Sequence, residues 1–304
     1  MCEPVLVTKD LTKIYDKVTV LNNINIEIDK GKIYGFIGQN GAGKTTFIRL
    51  IAGLSFSTSG EIILFGHRDK NALQVQRKRI GFLVERPALY PDMTAVQNIK
   101  IQQIEKGIKN NNEILEILNL VGLSNTGKKK VRNFSLGMRQ RLGIGISLIN
   151  NPELLILDEP INGLDPKGIV EIRDLLLRLN RERGTTIIIS SHILEELYNT
   201  VSEFILIDRG NIIEQITKIQ LDERCRKYIL LRTTDNKKIL ERIKIEFKTE
   251  DYEILTDGAI KIYNHLQDIE QLSSICAEEK ILITEIKVIG DSIEEYFLSK
   301  IGGK

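Results

Sequence analysis

The run Gly38-Gln39-Asn40-Gly41-Ala42-Gly43-Lys44-Thr45 sets glycines around a lysine and a hydroxyl, a combination suited to gripping phosphate. Glycines at 38, 41 and 43, with Asn40 and Ala42 between them, let successive backbone N–H groups turn inward around phosphate oxygens. Lys44 is then expected to reach the β- and γ-phosphates of a nucleoside triphosphate, Thr45 to ligate Mg²⁺ through its hydroxyl, and Thr46 to donate to the α-phosphate. Further on, Leu154-Leu155-Ile156-Leu157 ends in Asp158-Glu159. Four apolar residues in a row suit a fully buried parallel strand, and a carboxylate at the C-terminal end of such a strand faces the ligand crevice. Asp158 is the candidate holder of Mg²⁺ through water, and Glu159 the candidate general base for an attacking water. Taken without the glycine-rich loop, the same two acids also read as solvated residues at a strand end.

The elements around these residues support the chemical reading. Lys32–Ile37 is expected as a strand running into the loop, and Thr45–Leu54 as a helix with Phe47, Ile48, Ile51 and Leu54 on one face. Strand, loop, helix is the context a phosphate-binding loop needs, because the helix adds its positive end. Val5–Val7 and Val18–Ile28 read as earlier strands, with Tyr15 in a polar break between them. From about 94 to 149 the pattern turns helical: Thr94 and Gln97 make a capping box, and Asn112 opens a second amphipathic run ending at Gly122. Asp165-Pro166 reads as N-cap and first turn of a helix with Ile169, Ile172, Leu176 and Leu179 buried, stopped by Gly184 before a strand at Thr185–Ser190. Beyond residue 215 the order strand, helix, strand, strand, helix, strand suggests a small ferredoxin-like α+β domain. A last helix begins at Ser292 with Glu295 completing a capping box, closed by Gly302-Gly303. The expected domains are therefore 1–215, with a helical part at about 86–150, and 216–304.

Composition narrows the function classes. A formal charge of +2 over 304 residues gives no electrostatic footprint for nucleic acid. Cys2, Cys225 and Cys276 form no CxxC or His-Cys cluster, so neither a disulfide framework nor a zinc site is expected. No charged-then-apolar leader opens the sequence and no stretch of 18 apolar residues occurs, so neither secretion nor a membrane span is expected. A signalling GTPase would need an Asn-Lys-x-Asp guanine reader; Asn236-Lys237-Lys238-Ile239 lacks the acid.

Between loop and carboxylates stands Phe134-Ser135-Leu136-Gly137-Met138-Arg139-Gln140. Ser135 as N-cap with Gly137 just inside makes a helix N-terminus that can meet an anion without a positive side chain. The three motifs in this order resemble the ATP-binding cassette (ABC) ATPases, in which the middle run is the signature. The resemblance implies an α/β P-loop ABC-ATPase fold: a mixed sheet core, an antiparallel β subdomain and an α-helical subdomain, here with the small C-terminal domain. It implies ATP and Mg²⁺ as ligands, and a pocket shared between two protomers. In it, the signature residues Ser135, Leu136, Gly137 and Met138 cap the γ-phosphate held by the partner's loop. The family consensus is Leu-Ser-Gly-Gly-Gln, so Phe134, Leu136 and Met138 depart from it, a change expected to tune the dimer surface.

By the same resemblance Tyr15 stacks on adenine, although its residue type and place fit a strand-end aromatic equally. His192, after the last core strand, matches the switch histidine that contacts the γ-phosphate. Asp165, in Asn162-Gly163-Leu164-Asp165, matches the loop crossing the dimer seam. Glu85 stands where the family usually has a glutamine linking Mg²⁺ and water to the helical segment; it is expected either to ligate Mg²⁺ or to face a partner subunit.

Glu85-Arg86-Pro87-Ala88-Leu89-Tyr90 and the signature are similar to one branch, the ATP-binding subunits of bacitracin exporters and lantibiotic self-protection transporters. That branch implies ATP hydrolysis driving export through a separate integral membrane permease. It also implies a homodimer, or a dimer with a related ATP-binding subunit, held peripherally at the cytoplasmic face of the membrane. The alternative is a soluble ABC ATPase acting on ribosomes or nucleic acid; such chains resemble tandem cassettes or carry long coiled coils, and this one has neither.

Overall fold

The computed structural model describes residues 4–85, 87–108, 110–247, 251–290 and 292–301. Cys2, Arg86 and Gly302-Gly303, used in the sequence reading, lie outside them. The chain divides into two compact units, the first ending at Lys218 and the second beginning at Ile219.

In the first unit β1 (Pro4–Tyr15) and β2 (Val18–Asp29) form an antiparallel hairpin. Its pairing runs to Tyr15 opposite Val18, so the expected break is instead a two-residue turn. Asp16 and Lys17 both take left-handed φ, 45° and 72°, the signs of a type I′ turn, whose twist matches that of the strands it joins. Next come the fully buried β3 (Ile33–Ile37), α1 (Lys44–Ala52), and β4 (Ser59–Leu64), which returns to β1 in a three-stranded sheet ordered β2-β1-β4.

After α2 (Lys70–Gln76) and β5 (Ile80–Leu83) follow three helices: α3 (Ala95–Glu105), α4 (Asn111–Leu120) and α5 (Leu136–Ser147). The capping box of Thr94 and Gln97 is present in full. α4 begins earlier than expected, because Asn110 rather than Asn112 caps it, accepting from the Glu113 N–H. Then come β6 (Leu154–Leu157), α6 (Pro166–Arg183), β7 (Thr186–Ser191), α7 (Leu194–Tyr198), β8 (Glu203–Asp208) and β9 (Asn211–Thr217). Asp165 caps α6 as expected; Leu175 joins its buried stripe, while Ile169 is only half-buried.

The central sheet runs β5-β6-β7-β3-β8-β9, parallel except for β9, which pairs antiparallel with β8. Phe47, Ile48 and Ile51 of α1 lie in one buried cluster with Leu21 and Ile24 of β2, Phe36 of β3 and Ile156 of β6. Each such fully buried side chain contributes about 1.5–3 kcal/mol, so α1 is clamped between the hairpin and the sheet.

The second unit comprises α8 (Lys218–Arg224), which starts at the boundary, then β10 (Tyr228–Thr233), α9 (Asn236–Phe247), β11 (Tyr252–Ile254), β12 (Ile260–Ile262), α10 (Ile269–Glu278), β13 (Ile283–Ile289) and α11 (Ile293–Ile301). Its antiparallel sheet is ordered β11-β12-β10-β13, the arrangement of a ferredoxin-like βαββαβ unit. Alternate strand positions put Ile229, Leu231, Ile260 and Ile262 into a core with Ile239, Ile243, Leu272 and Ile275 of the helices, while Leu230 between the first two is buried outside that cluster. Ser292 and Glu295 form the expected reciprocal cap of α11.

β5 approaches α5 so closely that a Cβ on Gly81 would run into the Ser147 carbonyl oxygen, with Leu155 Cδ1 at 3.1 Å. Gly81→Ala is expected to lower the stability of the first unit by about 1–3 kcal/mol, read as a lower urea midpoint by circular dichroism. An unchanged midpoint would mean that the contact relaxes without cost.

Candidate active site

Parallel pairing aligns Ile37 of β3 with Ser191 of β7, and Leu157 of β6 with Ile189 of β7. The loops after β3, β6 and β7 therefore emerge on one edge of the sheet, where open α/β folds take ligands. The glycine-rich loop enters α1 at Gly43, whose φ is 109°. A Cβ there would meet Leu21 Cδ2 at 2.7 Å and the Val20 carbonyl oxygen at 3.0 Å, so the position admits glycine alone. Within the loop Ala42 donates its N–H to the Gln39 carbonyl at 3.1 Å, while Asn40 and Gly41 are exposed. Gly38 anchors the start, its N–H 3.3 Å from the Ser191 carbonyl oxygen.

Lys44 is buried, at 6 % exposure. Its ammonium donates to the carbonyls of Gly38 (2.7 Å) and Gln39 (3.3 Å) and lies 3.2 Å from Glu159 Oε1. Thr45 donates its hydroxyl to Asp158 Oδ2 at 2.9 Å, and Thr46 follows half-buried. Asp158 is 2 % exposed; its other oxygen accepts the Ser190 hydroxyl at 2.6 Å, and its N–H bonds the Leu83 carbonyl of β5.

Glu159 holds a left-handed φ of 48°, a region that residues with a side chain occupy at a cost. Its second carboxylate oxygen is 2.9 Å from His192 Nδ1. One carboxylate thus spans the loop lysine and the strand-end histidine. Such a group, partly open to solvent, is placed to accept a proton from a water molecule. The structure brings Lys44, Thr45, Asp158, Glu159 and His192 together, from three loops far apart in sequence.

Other expected residues sit elsewhere. Ser135 caps α5, accepting from the Met138 N–H at 3.2 Å. Ser135, Gly137 and Met138 line one surface groove with Gly163 and Asp165. Among the described residues no hydrogen bond or ion pair joins this signature group to the Lys44–Glu159 cluster. Leu136 is exposed and Met138 half-buried, but Phe134 is only 4 % exposed and belongs to the interior. The expectation that all three departures shape a dimer surface is thus corrected for Phe134: a phenyl ring adds buried apolar area beneath the motif.

Tyr15 ends β1 with its hydroxyl 3.1 Å from Ser55 Oγ and the Lys13 ammonium 4.4 Å from its ring centre. Glu85, with φ of 59°, pairs its carboxylate with Arg49 of α1. That partner lies within the same unit and was not foreseen, since 36 residues separate the two. The sequence reading also passed over Glu196 on α7. Burial pushes its carboxyl above the usual range, while the His192 ring opposes this and the Glu159 charge adds to it. No sequence signal marked it, because the Glu159 charge that acts on it stands 37 residues earlier in the chain.

Residues 21–162 match the family model described as ABC transporter. The chain is 44% identical over 300 residues to the bacitracin transport ATP-binding protein BcrA of Bacillus licheniformis, covering 98% of each. It is 47% identical over 205 residues to the lantibiotic transport ATP-binding protein SrtF of Streptococcus pyogenes, covering 67% of this chain and 87% of that one. In structure it is similar to an ATP-binding cassette solved as a dimer in a post-hydrolysis state with ADP and Pi: TM-score 0.64, 28% identity, 70% of this chain and 98% of that one. The chain belongs to the ATP-binding subunits of ABC transporters, a family that hydrolyses ATP to power transport. The ribosome or nucleic-acid alternative gives way to this reading.

The Arg49–Glu85 pair is about half exposed on both sides, and exposed pairs contribute little. Glu85→Gln is therefore expected to shift unfolding stability by no more than about 1 kcal/mol, measured by urea denaturation. A larger loss would mean that the pair braces the fold.

Proposed function

We propose that this ABC-family subunit hydrolyses ATP within a head-to-tail pair of cassettes and drives export of a peptide antibiotic of the bacitracin or lantibiotic type. The observation carrying the hydrolytic part is the Glu159 carboxylate, held between Lys44 at 3.2 Å and His192 at 2.9 Å. In this reading Glu159 takes the proton of a water whose oxygen bonds the γ-phosphorus; the bond to the bridging oxygen breaks and its electron pair leaves with ADP. Lys44 lies against the β- and γ-phosphates, the loop backbone from Gly38 through Asn40, Gly41, Ala42 and Gly43 to Lys44 cradles them, and Thr46 donates to the α-phosphate. Tyr15 stacks on adenine. His192 reports whether the γ-phosphate is present.

The Thr45 hydroxyl and Asp158 Oδ2 stand 2.9 Å apart, a pair of hard oxygen groups that fits Mg²⁺, with Asp158 acting through water. Bound there, Mg²⁺ would neutralise charge on the β- and γ-phosphates. Glu85 joins that metal environment only by leaving Arg49. Ser135, Leu136, Gly137 and Met138 serve the nucleotide of the opposite protomer, with Asp165 at the seam; their separation from the Lys44 cluster supports a shared pocket. The partner is a second copy or a related cassette, and an integral membrane permease holds the pair at the cytoplasmic face. Among the described residues no helix is long and apolar enough to cross a membrane, so the channel belongs to that permease. The cargo reading rests on the relative named for bacitracin transport, matched over 98% of both chains.

Glu159→Gln in the purified full-length chain is expected to slow hydrolysis by about 10²–10⁴-fold, with ATP binding retained and an ATP-dependent dimer visible in light scattering. Near-normal turnover would remove Glu159 from the role, and a monomer at saturating ATP would remove the sandwich. Expressed with its permease in a bacitracin-sensitive host, the native chain should raise bacitracin tolerance and the Glu159→Gln chain should not. Equal tolerance in both would exclude ATP-driven export of that peptide.

A further inference from the structure

Ser190 is the penultimate residue of β7, and it is 0 % exposed. Its hydroxyl donates to Asp158 Oδ1 at 2.6 Å and accepts the Glu159 N–H at 2.9 Å. A serine hydroxyl has one proton to give. With that proton on the Asp158 carboxylate, its lone pairs face the Glu159 peptide, and the chain N–H to O–H to carboxylate polarises in one direction. The neighbouring Ser191 is buried as well, but its hydroxyl accepts from the Ile193 N–H two residues on, a local turn contact.

We infer that Ser190 is a positioning residue for hydrolysis, setting the Asp158 and Glu159 side chains relative to each other through one hydroxyl. The inference rests on the reading of Asp158 as the Mg²⁺-side carboxylate and Glu159 as the base. Occupying Asp158 Oδ1 leaves Oδ2 for the Thr45 hydroxyl, so Ser190 decides which oxygen faces the phosphate loop. Holding the Glu159 N–H secures a backbone in the left-handed region, with φ of 48°. From that backbone the carboxylate reaches Lys44 and His192. Without the hydroxyl, Asp158 keeps only the Thr45 hydroxyl on its carboxylate, and the Glu159 peptide has nothing on β7 to hold its turn.

The test compares Ser190→Val with Ser190→Thr in the purified full-length chain, an isosteric pair differing in the hydroxyl. Val is expected to lower kcat by about 10–100-fold, the usual effect of losing an outer-shell partner, and to raise KM for Mg²⁺-ATP by much less than it lowers kcat. Thr is expected to recover most of kcat. In a titration with a fluorescent ATP analogue, Val should weaken the Mg²⁺-dependent part of binding and spare the Mg²⁺-free part. Ser190→Ala, which makes no steric demand, should rank with Val, and it carries the test if Val fails to fold. The role is overturned if the variants with and without a hydroxyl turn over equally, whether both fast or both slow. Glu159→Gln run alongside separates the two levels. Retained hydrolysis there overturns the base reading itself, whereas its loss together with a native-like Ser190→Val overturns only the role of Ser190.

Discussion

Three strands lie in parallel register, and everything at the edge carrying Lys44, Asp158 and Glu159 depends on that. β3, β6 and β7 are buried along their whole lengths, and their pairing ends Ile37 beside Ser191 and Leu157 beside Ile189. A slip of one residue in a strand turns its side chains to the opposite face. Such a slip would carry Asp158 away from Thr45 and Ser190 away from both acids. Burial on both faces makes the slip costly, since each strand would have to drive its polar end residues into the apolar layer. The hydrophobic core thereby sets distances of a few ångströms among polar groups.

At that edge charge is compensated within the chain. Lys44 has three ammonium protons, and its partners are two loop carbonyls and one carboxylate oxygen. Glu159 in turn meets a cation on one oxygen and an imidazole on the other. Asp158 is the more deeply buried acid and accepts two hydroxyls, one per oxygen. A buried carboxylate without such donors would be costly; with them each oxygen is satisfied and the side chain is fixed in direction. The two adjacent acids therefore differ in surroundings, one sealed by hydroxyls and one open toward solvent, which suits the first to holding and the second to proton transfer.

The second unit is built on a different plan. Its antiparallel sheet sends Ile229, Leu231, Ile260 and Ile262 into a core with two helices. Next to these in sequence are Arg232, which pairs with Glu285 and Asp257, and Lys261, which pairs with Glu253. Alternation along each strand separates the two sets. Exposed pairs of this kind contribute modestly to stability, so the unit owes its fold to the apolar set.

Features spanning a few residues were legible in the chain itself. Glycine spacing before Lys44, the caps at Thr94, Ser135, Asp165 and Ser292, and the stop at Gly184 are local, because a cap bonds groups three positions away. The βαββαβ order was equally readable from alternating periodicity. Harder were the Tyr15 turn, where two residues with side chains adopt left-handed φ in place of glycine, and the start of α4, where Asn110 and Asn112 compete as caps. Nothing local marked Ser190 or Arg49, whose partners lie across sheet or loop. Sequence alone determined which groups are present that could hold a phosphate or accept a proton, since side-chain chemistry is written residue by residue. Only the tertiary structure decided which of them meet, because contacts between residues tens to more than a hundred positions apart follow from strand order and register.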